Sequence, residues 1–145
     1  MKKITDYFNV FQPEIQKKYK APLVLNNIQA GFPSPAEDHI DLKLDLNEHL
    51  VSHPAATFYV RATGDSMIDA GINEGDLLIV DRAKEAKHND IVVAVLFGDF
   101  TLKRFIVQGE KFFLKPENQK YKVTEITDES DFAVWGVVTY VIAKK

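Results

Sequence analysis

From Thr57 onward the chain is written in short apolar runs broken by turn residues, and this grammar constrains the fold more than any other feature. Phe58-Tyr59-Val60-Arg61-Ala62 and Asp76-Leu77-Leu78-Ile79-Val80-Asp81 read as strands on either side of a turn-rich stretch, Thr63 to Gly75. Asp90-Ile91-Val92-Val93-Ala94-Val95-Leu96, the turn Phe97-Gly98-Asp99 and Phe100 to Val107 form a hairpin. Gln108-Gly109-Glu110 opens the next, with Lys111 to Leu114, and a last strand runs from Phe132 to Ile142. Strands at this spacing predict a mainly β fold, a compact antiparallel sheet or partly closed barrel, preceded by an extended N-terminal arm.

The arm has different chemistry. Residues 1 to 20 carry lysines 2, 3, 17, 18 and 20 against Asp6 and Glu14, a balance of +3 in a chain whose formal charge is −3, so the remainder carries −6. Ile4, Phe8, Phe11 and Ile15 are spaced to share one helical face, yet Pro13 breaks a helix unless it lies in the first turn. A short amphipathic or irregular arm is expected, packed on its own domain or on a neighbour. Gln29-Ala30-Gly31-Phe32-Pro33-Ser34-Pro35-Ala36 excludes regular helix and central strand, and reads as an exposed extended linker of the kind a protease cleft accepts. Asp45-Leu46-Asn47-Glu48 has capping-box form, with Leu46, Leu50 and Val51 on the apolar side of a short helix ending before Pro54. The expected division is therefore an arm over 1–53 and a folded domain over 54–145.

Composition narrows the function. The 145 residues, 46% hydrophobic and 27% charged, suit one soluble domain and exclude collagen-like, disordered and disulfide-scaffold classes. The net negative charge argues against nucleic-acid or lipid attraction as the main mode of partner choice. Zero cysteines remove thiolate nucleophiles and Cys-built zinc sites, and fit a reducing compartment. No apolar run approaches the roughly 20 residues of a spanning helix, and Asp6, Asn9 and Gln12 interrupt any signal-peptide core, so no membrane association and a cytoplasmic location are expected. His39, His49, His53 and His88 form no metal signature, phosphate-binding glycine patterns are missing, and Asp69-x-x-x-Asn73 fails calcium-loop spacing. No cofactor and no metal are expected.

Two residues carry possible chemistry. Gly64 permits a sharp turn after a strand and presents Ser66 beside main-chain N–H groups, as a nucleophile at an oxyanion hole requires. On these residues alone, Asp65-Ser66 reads rather as a turn that satisfies its own backbone. In Thr101-Leu102-Lys103-Arg104-Phe105 the side chains alternate, so Lys103 shares a face with Thr101, Phe105 and Val107, whose apolar groups would desolvate its amine. Without further context, Lys103 reads rather as an edge-strand lysine that deters aggregation.

Gly64-Asp65-Ser66-Met67, then Lys103 37 positions after the serine, Ala30-Gly31 upstream, Gly75-Asp76-Leu77, and Leu114-x-Pro116-x-Asn118-x-x-Tyr121 together resemble the self-cleaving serine/lysine peptidases of the LexA and UmuD group. The resemblance covers about residues 29 to 145, and Gly31 to Ala36, Asp45-Leu46-Asn47, His53-Pro54 and Gly64 to Asp69 are similar to the UmuD-like branch. It implies Ser66 as nucleophile, Lys103 as general base and later acid, backbone N–H groups of Asp65 and Ser66 as oxyanion donors, and Ala30–Gly31 as the scissile bond. Only about 30 residues precede that bond, too few for a helix-turn-helix domain, which favours the UmuD-like branch over the repressors and argues against direct sequence-specific DNA binding. UmuD-like proteins can carry cysteine where this chain has Ala30; a small residue suits the same pocket.

The family further implies a homodimer that, once trimmed, joins a UmuC-like Y-family polymerase for translesion synthesis, with a RecA filament on single-stranded DNA promoting the cut. Three alternatives stand beside this reading. One is a non-enzymatic β module serving a polymerase or assembly, another a LexA-like repressor peptidase domain without its DNA-binding part, and the third a signal-peptidase-like enzyme without an anchor.

Overall fold

In the computed structural model, residues 10–11, 20–24, 30 and 40–145 are described. Most of the expected linker, Gly31 included, lies outside the described residues, as do Ile4, Phe8, Ile15 and His39. Ala30 is an exposed bend.

The apolar runs become an antiparallel sheet of eight strands. They are β1 (Val10–Phe11), β4 (Thr57–Arg61), β5 (Leu77–Asp81), β6 (Ile91–Leu96), β7 (Asp99–Gln108), β8 (Lys111–Lys115), β9 (Thr124–Ile126) and β10 (Ala133–Ile142). A separate pair, β2 (Lys20–Val24) with β3 (Ile40–Asp45), precedes the short helix α1 (Leu46–Leu50). The large sheet runs β1-β4-β5-β10-β6-β7-β8-β9, so it has two ends and is not a fully closed barrel. Contacts divide the chain into one unit of Met1–Pro13 with Val51–Lys145 and another of Glu14–Leu50.

Three local readings change. Phe11, expected on a helical face, lies in β1 and is paired across to Tyr59, because the outer edge of β4 offers backbone hydrogen bonds that an isolated short helix does not. The hairpin turn is Phe97-Gly98 alone, since Asp99 already pairs with Leu96. β2, β3 and β9 are additional strands. The cap is in its expected place: Asp45 Oδ1 accepts the N–H groups of Asn47 at 3.0 Å and Glu48 at 3.3 Å.

Alternation along the strands builds two apolar clusters. Val60, Leu78, Val80 and Val93, each fully buried, pack with Met67, Ile72 and Leu102. Val92, Ala94, Phe105, Leu114 and Val137 form the second, in which Phe105 stacks against Phe112 and Phe132 with centroids 5.6 and 6.2 Å apart. Strand β10 crosses the middle, pairing with β5 and β6, and shifts register between Val134 and Gly136. A Cβ at Gly136 would lie 2.5 Å from Val80 Cγ1, so only glycine permits this approach. Among the described residues no helix is long and apolar enough to cross a membrane.

Phe97 has φ of 50° and is 62% exposed, in a two-residue turn that favours Asn-Gly or Asp-Gly. A bulky side chain in the left-handed region costs about 1–2 kcal/mol, so Phe97→Asn is expected to raise stability by about 1 kcal/mol, read from the midpoint of urea unfolding at unchanged slope.

Candidate active site

Ser66 is held by the loop that follows β4. Ala62 closes that strand against the β5 side, donating its N–H to Asp76 O at 2.8 Å and accepting from Gly75 N at 2.9 Å. Gly64 then takes φ of +78°, which a side chain rarely adopts, and the chain reverses. Met67, 2% exposed, sinks into the first apolar cluster and leaves half-buried Ser66 beside it.

The other side of the loop is fastened by the segment after β8. Asn118 Nδ2 donates to Asp65 O at 2.9 Å, Tyr121 Oη donates to Asp65 Oδ1 at 2.5 Å, and Asp69 N donates to Glu117 O at 2.8 Å. Glu117 is in turn gripped by Arg104, whose Nε donates to Glu117 Oε1. The hydroxyl of Tyr121 is the main influence holding the Asp65 carboxyl below its usual pKa, with Lys120 adding a smaller pull, while that carboxylate raises the pKa of Tyr121. Among the described residues, no hydrogen bond uses the Ser66 N–H.

Lys103 comes from the neighbouring region of the sheet. β7 pairs with β6 on one side and β8 on the other, so Lys103 is not an edge-strand lysine. It stands opposite the fully buried Val92. Its Nζ donates to Thr101 Oγ1 at 2.7 Å, to Leu102 O at 3.0 Å and to Ser66 Oγ at 3.3 Å. No carboxylate pairs with this amine among the described residues, and burial lowers its pKa below the ordinary lysine value.

The structure therefore brings Ser66, Lys103 and Asp65 together, 37 residues apart in the first case, with the Thr101 hydroxyl on the face that strand alternation predicts. Leu102 O, Arg104, Glu117, Asn118 and Tyr121 also support the site. The Asn118-x-x-Tyr121 spacing was visible in sequence only as part of a family pattern, without a role. The histidines lie elsewhere in the bonding pattern: His53 Nδ1 meets Asp81 Oδ2 at 2.6 Å, and His88 Nδ1 accepts the Val107 N–H. Among the described residues no three His, Asp or Glu side chains converge as metal ligands.

Because the Tyr121 hydroxyl favours the ionised form of Asp65, Tyr121→Phe is expected to raise the Asp65 carboxyl pKa toward its ordinary value. A carbon-detected NMR titration of that carboxyl measures the change; an unchanged titration would show that the contact carries no electrostatic weight.

Comparison with known proteins adds the lineage. The peptidase S24-like family matches residues 22–139. Protein ImpA of Salmonella typhimurium is 43% identical over 138 residues, covering 95% of this chain and 94% of that one. Protein MucA of Escherichia coli is 42% identical over 123 residues, 84% of each chain. The LexA repressor of Shewanella woodyi is 36% identical over 133 residues, 90% of this chain and 63% of the repressor. Matches of this extent, on a chain that sets a desolvated lysine beside a serine, make it a member of the peptidase S24-like family, in its LexA/UmuD group.

Proposed function

We propose that this chain is an autocatalytic serine endopeptidase of the SOS response that cuts its own Ala30–Gly31 bond. Its trimmed form acts as a homodimeric, cytoplasmic accessory subunit of a UmuC-like Y-family translesion polymerase. A RecA filament on single-stranded DNA promotes the cut. The observation that carries the catalytic part is the 3.3 Å contact between Lys103 Nζ and Ser66 Oγ at an amine whose pKa burial lowers. Similarity over nearly all of ImpA, and over only 63% of the LexA repressor, supports the mutagenesis branch of the group.

The chemistry follows from the three contacts of Nζ. A neutral amine has two N–H bonds and one lone pair; Leu102 O can only accept, so one N–H goes there and the other to Thr101 Oγ1. The lone pair is left for the Ser66 hydroxyl. Ser66 Oγ attacks the Ala30 carbonyl carbon while its proton passes to Nζ, and the Ser66 N–H stabilises the oxyanion, with Asp65 as the second candidate donor. The ammonium then protonates the leaving nitrogen of Gly31, giving an ester between Ala30 and Ser66. Water attacks the ester, Nζ takes its proton, and that proton returns to Oγ as the Ala30 carboxylate departs. From Gly31 to Pro54 the 23 residues span at most roughly 75 Å at about 3.3 Å each, ample for the linker to enter a peptidase site.

Mass spectrometry after alkaline incubation tests this reading. Wild type is expected to yield fragments of 30 and 115 residues from its 145, and Ser66→Ala and Lys103→Ala none. Equal cleavage in all three assigns the cut to a contaminating protease, and cleavage of an added unfolded protein would identify a general peptidase.

The pH dependence carries its own sign. The base must be neutral, so the rate is expected to rise about tenfold per pH unit below the lowered folded-state pKa of Lys103 and to level off above it. Lys103→Arg, which stays charged, is expected to lose at least ~100-fold at every pH. A rate that stays flat from about pH 6 to 10 removes Lys103 from the role of base.

A further inference from the structure

The segment Leu114-x-Pro116-x-Asn118-x-x-Tyr121 places an amide side chain against the loop that carries Ser66. Leu114, 1% exposed, lies in the second apolar cluster, and Pro116 is buried, so the chain leaves β8 on a fixed footing. It then turns: Tyr121 N donates to Asn118 O at 3.1 Å, and Lys120 N donates to Asn118 Oδ1 at 3.0 Å. On its other side the Asn118 amide meets Asp65 O, to which Nδ2 donates at 2.9 Å. The Lys120 N–H can only donate and the Asp65 carbonyl can only accept, so these two neighbours settle which way the amide faces.

The Asp65 oxygen belongs to the peptide group that joins Asp65 to Ser66. It also accepts the Ile68 N–H at 3.3 Å, so the carbonyl is held by two donors. No cis peptide bond occurs among the described residues, and in a planar trans peptide the N–H points opposite to the carbonyl. Fixing Asp65 O therefore fixes the direction of the Ser66 N–H, which no hydrogen bond uses among the described residues. A hydrogen bond on the carbonyl also draws electron density toward its oxygen, which strengthens the N–H of the same group as a donor. Tyr121 holds the Asp65 side chain, whereas Asn118 holds the peptide itself.

We propose that Asn118 is the positioning residue of the oxyanion hole: by donating to Asp65 O it aims and polarises the peptide group whose other end, the Ser66 N–H, meets the oxyanion. The assignment rests on the self-cleavage reading. The scissile oxygen gains charge only as Ser66 attacks, so a well-aimed donor lowers the barrier more than it strengthens binding of the linker. Lys103 Nζ bonds Thr101, Leu102 and Ser66 rather than Asn118, so loss of the amide acts on the rate and leaves the titration of the base in place.

Two full-length variants separate the donor from the turn. Asn118→Asp keeps an oxygen for the Lys120 N–H and loses the donor to Asp65 O; Asn118→Leu loses both. On the alkaline plateau of self-cleavage both are expected to be at least about tenfold slower than wild type. The pH at which the rate levels off is expected to be unchanged in Asn118→Leu. In a Ser66→Ala background, which stays uncut, either substitution is expected to move the carbon-detected NMR signal of the Asp65 carbonyl upfield. Asn118→Asp cleaving at the wild-type rate would reduce Asn118 to a turn former and overturn the proposal. A level-off pH that moves with the rate would also overturn it, since the effect would then lie at Lys103. Wild type that leaves its own chain uncut defeats the peptidase reading and the catalytic consequence with it, whereas an unmoved Asp65 carbonyl signal in a protein that does cleave defeats the proposal alone.

Discussion

A partly buried lysine amine with no carboxylate partner among the described residues governs the arrangement of the site. Burial penalises the ammonium, so the pKa of Lys103 falls. The polar groups within reach can satisfy the amine, but none supplies a compensating charge: Thr101 Oγ1, Leu102 O and Ser66 Oγ. Two of these come from β7 itself and are set by strand geometry. The third comes from a loop some forty residues earlier, and its position has to be built separately.

That loop is built from both sides. Met67 anchors it in the core, while Asn118 and Tyr121 hold Asp65 and the Glu117 carbonyl holds Asp69. Arg104 closes the circuit, because it follows Lys103 on β7 and grips the Glu117 side chain at 25% and 19% side-chain exposure. The strand that carries the lysine therefore also steadies the segment that steadies the serine. Positioning of this kind matters because small displacements between reacting atoms have large kinetic effects. The Lys120–Asp65 contact, at 3.8 Å and with Lys120 77% exposed, contributes far less than the neutral donors from Asn118 and Tyr121.

Much of this order was legible in the residues. The central strands announce themselves because buried strands need continuous Val, Ile and Leu, and Leu77–Asp81 and Ile91–Leu96 fall within one residue of their sequence-based bounds. β9 does not announce itself: Thr124-Glu125-Ile126 is three residues long with a charge at its centre. β2 contains Pro22, which argues against a strand unless its N–H faces outward. The Lys103–Thr101 face follows from a period of two. Asn118 and Tyr121 meet Asp65 across 53 and 56 residues, and no local pattern encodes contacts at that separation. Phe11 shows the opposite limit, since helical spacing in a short arm yields to an available sheet edge.

The sheet order keeps the strand that carries Lys103 away from both ends of the sheet. β7 is interior, with partners on both sides, so Lys103 cannot shift register without breaking two ladders. β4 lies near one end of the sheet, beside β1. Three strands, β5, β10 and β6, stand between them. On the self-cleavage reading, the departing residues include the +3 arm, and side chains summing to −6 remain. The product then differs from its precursor by a more negative surface, while both ladders of β7 lie wholly on the C-terminal side of the cut.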